Sequence, residues 1–367
     1  MIENLIAAIA QSDTDTSRRT LQKLLQTKQN PWKIHEALFA VAQTVLNPPF
    51  INPHLAKMYA IDREFVPYLN TEDTALLLDV EVEEFARREK LPPLEKPTSP
   101  PSGTTFSDIE KAIGQSNVAE TAIRMESFLQ SAGSAQFAGK MLLLGSNYLN
   151  NSLGHSVSCT AFILLEMIQR KDQNPWPVLS LLADYFCKGS FQHTPDLQSS
   201  SLSAYTEAYL YELQRAVSGT GIVALHHPIT LYAIERSRHF FSPGEYDHML
   251  TMWSKMMRQK KEKLLPIEKL DAENPVDFKQ FFNVFSGHNP KPLLNMIGTS
   301  LGSKNDRRRI GNYLIKSVLQ SYNGEYNPHS LTGLGSALWM MENFSDQQAI
   351  VINGVFQYLD YFFGDIS

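Results

Sequence analysis

Three histidines open nearly the same phrase in this chain. "HSVSCTA" (155–161), "HPITLYA" (227–233) and "HSLTGLG" (329–335) each run His, Ser or Pro, an aliphatic residue, Ser or Thr, two free positions, then Ala or Gly. Imidazole titrates close to neutral pH, so it can serve as acid, base, hydrogen-bond donor or metal ligand. Histidine is also a poor helix N-cap beside Ser, Thr, Asp or Asn. Its return at the head of three apolar helical segments therefore calls for a reason beyond capping. Helical bundles build metal and cofactor sites by sending such side chains into a shared interior. On this reading His155, His227 and His329 line a functional pocket and carry its chemistry, with His226 and His288 nearby.

A metal held by His155, His227, His288 and His329 is the sharper form of the same expectation, since neutral imidazoles suit iron, zinc or copper. His288 enters through "SGHNPKPLLNMIG", a looser relative of the motif; "NPHLAKMYA" (52–60) shares Asn-Pro-His with "NPHSLTGLG" and is a fainter fifth. Glu120, Glu126 or Glu166 could add a carboxylate. Glu120 and Glu126 do not share a helix face, however, and Glu166 stands four residues before Arg170, the spacing of a helical ion pair. There is no HExxH, no zinc-type His/Cys spacing, no GxSxG and no phosphate-binding glycine loop. Cys159, four residues after His155 in an apolar setting, reads as a buried inert thiol. The plain alternative is that each histidine caps or packs a helix of a non-catalytic scaffold or protein-interaction protein.

These residues need elements to hold them, and the elements read as helices. Each motif leads into an apolar helix and then a second one, starting at Asn174, Ser242 and Ser345, a helix-turn-helix unit of roughly 35 residues. The small seventh residue of the motif would let another helix come close. "TEDTALLLDVEVEEFARREK" opens on Thr71 with acids in its first turn and closes on Arg87, Arg88 and Lys90, matching the helix dipole at both ends. Alternating strand-like runs are missing, so the fold class is all-α: a helical bundle or irregular array of repeated helix pairs. Five prolines between residues 91 and 106 predict an extended linker. It divides a smaller helical N-terminal unit (1–90) from a helical domain (107–367) bearing the three histidine repeats.

Composition narrows the partners. Hydrophobic residues make up 43% and charged residues 19% of 367, with a net charge of −5, so no strong field draws this chain to nucleic acid or an anionic membrane. The basic runs at 258–269 and 304–309 are short and lie among acids. Only two cysteines occur, Cys159 and Cys187. With no disulfide framework, no secretory leader and no apolar run of membrane-spanning length, the expected location is the cytoplasm.

The repeated His-x-[Val/Ile/Leu]-[Ser/Thr]-x-x-[Ala/Gly] step with its helix pair resembles the questin oxidase-like family. The resemblance covers roughly residues 107–367, most visibly "GHSVSCTAFILLEMI", "LHHPITLYAIE" and "PHSLTGLGSALWMM". It implies an all-helical oxidoreductase of oxygenase type, since a fungal member opens an anthraquinone ring oxidatively. It carries over no particular substrate; the aromatic stripes "YTEAYLYEL" and "FQYLDYFFG" would suit a small, aromatic molecule, and the histidines a metal ion such as iron. Some members are joined to Rieske-type domains. This chain has no Rieske Cys-x-His pairs of its own, so NADPH or an electron-donor protein would have to supply reducing equivalents.

Overall fold

Side-chain caps start many helices where the sequence sets Asp, Asn, Ser or Thr before an apolar run. The computed structural model describes residues 1–98, 101–170, 174–197, 202–257, 264, 277–324 and 327–366. The basic run at 258–269 lies outside the described residues apart from Leu264. The first helices are α1 (Ile2–Ala10), α2 (Thr14–Gln26), α3 (Pro31–Ala42), α4 (His54–Asp62) and α5 (Thr71–Arg87). Then come α6 (Phe106–Gly114), α7 (Val118–Ala132), α8 (Ser134–Ser146), α9 (His155–Gln169) and α10 (Trp176–Gly189). After them lie α11 (Glu207–Ala216), α12 (Gly221–Arg236), α13 (Pro243–Met256) and α14 (Phe278–Ser286). The last four are α15 (Pro290–Ser300), α16 (Lys304–Gln320), α17 (His329–Asn343) and α18 (Gln348–Ile366). The fold is all-α, and among the described residues the only β pairing is two isolated bridges, Val45 with Lys90 and Asn47 with Phe50.

Local signals explain the boundaries. Asn70 Oδ1 accepts from the Asp73 backbone N–H at 2.8 Å and starts α5. Ser242 and Glu245 form a reciprocal capping box at α13, satisfying two of the donors a helix leaves orphaned at its N-terminus.

Four helices make the centre. α4 packs against α9 and α17, and α12 packs against the same two. All nine residues of α4 are buried, the mark of a helix enclosed on every side, although it carries His54, Lys57 and Asp62. The first ninety residues thus share one continuous core with the rest. The described parts of the proline-rich segment touch the body: Trp176 Nε1 donates to Leu94 O at 2.9 Å, and Ser127 Oγ donates to Pro101 O at 2.5 Å.

The repeats differ in register. α9 and α17 begin at His155 and His329, but α12 begins at Gly221, and Pro228 falls in its interior rather than in a first turn. Close helix approach at the motif's seventh residue is found at Gly335, where a Cβ would stand 2.6 Å from Ile61 Cγ2 of α4.

Candidate metal centre

Four imidazoles meet where these helices cross. His54 and His329 are the first residues of α4 and α17, each after an Asn-Pro or Pro step; His155 is the first residue of α9. His226 reaches in from the second turn of α12. The Nε2 atoms form a chain of contacts: His54 to His155 at 2.6 Å, His155 to His226 at 3.1 Å, and His226 to His329 at 3.0 Å. Ring centroids close the circuit, at 4.4, 4.5, 4.7 and 5.2 Å for the pairs 54–155, 155–226, 226–329 and 329–54. The ligating atoms of His54, His155 and His329 all lie within 4.8 Å of one another.

The outer nitrogens fix the protons. A carbonyl oxygen only accepts, so His155 Nδ1, 2.6 Å from Ser152 O, must carry its ring's proton. His226 Nδ1 stands in the same relation to Ile222 O, at 2.6 Å. For His329 the acceptor is Asn327 Oδ1 at 2.9 Å, which also receives the His329 backbone N–H at 2.9 Å. That backbone donor requires the oxygen end of the amide, so Nδ1 of His329 is again the protonated nitrogen. Three rings therefore turn bare Nε2 lone pairs inward. His54 has the loosest outer contact, 3.5 Å from its Nδ1 to Asn47 Nδ2. One proton can bridge His54 and His155, and none remains for the two other contacts.

Protonating the rings is not the remedy. Burial is the largest cause holding His54, His155 and His329 well below the ordinary imidazole range, and it brings His226 down to about 3. The charge of Lys57 acts in the same direction on all four. Lys57 itself, one turn after His54, is fully buried with no hydrogen-bond partner for Nζ, and burial lowers its pKa. Neutral acceptors crowded together at neutral pH are what a cation satisfies.

The spacing is short enough for the nitrogens to share one cation. Imidazole nitrogens about 2.0–2.1 Å from a metal lie about 2.9 Å apart at right angles and about 3.3 Å apart at the tetrahedral angle. The 3.0 and 3.1 Å contacts lie between the two cases and the 2.6 Å contact is shorter than either, so the spacing suits nitrogens gathered on one cation without selecting its geometry. No carboxylate joins the cluster among the described residues.

The rings face a cavity of about 1050 Å³. Its wall includes Tyr148, Phe191, Ile222 and Tyr361, and Phe50, Ile51 and Leu153 line it while remaining exposed. Lys188 and Arg88 also border it, each paired, with Asp184 at 2.8 Å and Glu84 at 2.9 Å.

Of the expected site residues, His155 and His329 are in the cluster. His227 is not: its neighbour His226 takes the place, because consecutive helical side chains point about 100° apart and α12 starts well before the motif. The His227 main-chain carbonyl accepts from Trp253 Nε1 at 2.9 Å. His288 is exposed and stacked on Phe363 with ring centroids 5.2 Å apart. Glu166 binds Arg170 at 2.5 Å, Glu120 binds Arg124 at 2.6 Å and Glu126 binds Lys96 at 2.5 Å. Cys159 is buried, and its thiol is pushed up to about 11 by that burial. The residues missed are Asn47, Lys57 and Asn327; His54 carried only the shared Asn-Pro-His as a signal.

No known protein family, curated protein or solved structure matches this chain.

Proposed function

We propose that this protein is a metal-dependent oxidoreductase of oxygenase type that acts on a small, largely apolar molecule. The observation that carries the reading is the set of inward Nε2 atoms of His155, His226 and His329, whose protons are committed elsewhere, with His54 as fourth ligand. An all-imidazole donor set suits iron, copper, nickel or zinc, and oxygenase chemistry calls for a redox-active metal among these, such as iron. Bound there, iron would supply one-electron chemistry and a position for dioxygen. The chain's part is to hold the rings, keep them neutral and shape the space beside them. Phe50, Ile51 and Leu153 at the cavity's exposed edge favour an apolar guest, and Tyr148, Phe191 and Tyr361 offer faces to an aromatic one. The resemblance noted in the sequence supports the same activity class.

The test is metal analysis of the full chain produced with iron supplied, followed by nitric oxide addition to the ferrous protein. About one iron per chain and a high-spin ferrous–nitrosyl signal are expected, with both lost in His226→Ala. A protein that takes up no metal, or binds it equally well without His226, would leave only the helical scaffold reading.

A further inference from the structure

The four rings are not anchored alike. His155 and His226 give their Nδ1 protons to main-chain carbonyls, which no substitution removes. His329 gives its proton to a side chain, Asn327. The far end of that amide is held too: Asn327 Nδ2 donates to the hydroxyl of Tyr361, which lines the cavity. The His329 and Tyr361 rings stand edge to face with centroids 6.0 Å apart.

We propose that Asn327 is a positioning residue that sets the tautomer of His329, with Tyr361 as the latch on its amide. The inference rests on the metal reading for its purpose and on hydrogen-bond chemistry for its content. An amide has an accepting end and a donating end. With Oδ1 toward His329, Nδ1 keeps the proton and Nε2 is free to ligate. Turned over, the amide would donate to Nδ1, drive the proton to Nε2 and remove that nitrogen as a ligand. Two contacts hold the productive orientation, the His329 backbone N–H on one side and the Tyr361 hydroxyl on the other. Tyr361 also places a phenol at the cavity wall, so the ligand's anchor is one hydrogen bond away from whatever occupies that space.

Outer-sphere partners of ligating histidines commonly change metal affinity 10–100-fold when removed. The variants are Asn327→Leu, which accepts nothing; Asn327→Asp, which still accepts; and Asn327→Ser, whose hydroxyl can still cap the backbone N–H while being shorter by one heavy atom. Two measurements are made on the full chain: long-range nitrogen–proton spectra of the metal-free protein with labelled histidine, and titration with cobalt(II) followed by its ligand-field bands. Parent and Asn327→Asp should show His329 as the Nδ1–H tautomer. In Asn327→Leu and Asn327→Ser that one ring should change while His155 and His226 do not. Cobalt affinity should fall about 10–100-fold in those two variants, with altered bands, and return in Asn327→Asp. If Asn327→Leu does not fold, the Ser and Asp pair carries the comparison. An unchanged His329 tautomer in Asn327→Ser would overturn the proposal. A parent that binds no cobalt, yet shows the tautomer change, would overturn the metal reading and leave the role of Asn327 standing.

Discussion

His155 and His226 face each other Nε2 to Nε2 at 3.1 Å, and both have already given their ring proton to a main-chain carbonyl behind them. Two buried acceptors in that relation destabilise a metal-free protein, and unsatisfied buried polar groups each cost about 1–3 kcal/mol. Replacing His226 with leucine removes one acceptor from both of the contacts that lack a proton, His155–His226 and His226–His329, and leaves the His54–His155 bond in place. The metal-free His226→Leu protein should therefore be more stable than the metal-free parent, by about 1 kcal/mol or more. With metal present at a hundred times its dissociation constant, the parent should gain about 2.7 kcal/mol and the variant nothing. Thermal unfolding with chelator and with metal checks the crossing. A parent that is more stable under both conditions, with no response to metal, contradicts it.

A second buried cluster lies at the other end of α4. Glu81 contacts His35 Nδ1 at 3.0 and 3.1 Å through its two oxygens, and Asp62 hydrogen-bonds Glu81 once a proton is present. Burial pushes the Glu81 carboxyl up to about 8 and Asp62 well above its usual range. Glu166 adds negative charge nearby. The folded chain thus keeps protons that the unfolded chain gives up near pH 4. The pair's contribution to stability should fall as pH rises from about 4.5 to about 8, by up to about 1.4 kcal/mol per pH unit for each retained proton, against the opposing contribution of the buried histidines below about 6.5. Glu81→Gln should flatten that decline and make the protein more stable than the parent above pH 8. Urea midpoints at pH 5, 7 and 9 provide the comparison, and parallel curves for the two proteins count against the shared proton.

The acid limb has the opposite cause. Burial holds His35 and His226 at about 3 and His227 at about 4. Unfolded histidine takes its proton near pH 6.5 while these rings stay neutral, so the folded state binds fewer protons below that pH. Their contribution is complete above about 6.5 and is lost progressively toward 3, each ring costing up to about 1.4 kcal/mol per pH unit. His35 stacks on Tyr59 with centroids 4.5 Å apart and lies outside the four-histidine cluster. His35→Phe should therefore weaken the acid sensitivity of the chelated protein by one ring's share and leave metal uptake intact. Denaturation midpoints of parent and His35→Phe at pH 7.5, 6.5 and 5.5 measure it; a variant whose midpoints run parallel to the parent's over that range refutes it.

Helix class was legible because caps and period are local. Thr71 follows an Asn cap and Ser242 sits three residues before Glu245, whatever surrounds them. His155 and His329 were legible as helix starts for the same reason. The choice of His226 over His227 was not, since a side chain's direction depends on where its helix begins, and α12 begins at Gly221. His54 shared Asn-Pro-His with His329, yet nothing local says that α4 would be buried on all sides. His288 precedes a helix start much as the others do, but that helix is peripheral and leaves it exposed. Asn327 and Lys57 gain their meaning only from distances across the fold.

Packing outside the ligands should also set their geometry. A Cβ at Gly335 would stand 2.6 Å from Ile61 Cγ2, closer than real side chains approach, so Gly335→Ala should force the stiff β-branched Ile61 side chain off its rotamer or push α17 from α4. Those helices carry His329 and His54 at their first residues, and spreading them widens the ligand circuit on its longest side, 5.2 Å between ring centroids. Forced overpacking of this kind costs about 1–3 kcal/mol, and metal affinity should fall with it although Gly335 touches no ligand. Truncating the obstacle restores room, so Ile61→Ala should weaken stability alone yet recover metal affinity when combined with Gly335→Ala. A double-mutant cycle on stability and on cobalt affinity measures the coupling, expected at about 0.5–3 kcal/mol for residues in contact. Strict additivity in both readouts would mean that α4 and α17 do not hold His54 and His329 in register through this contact.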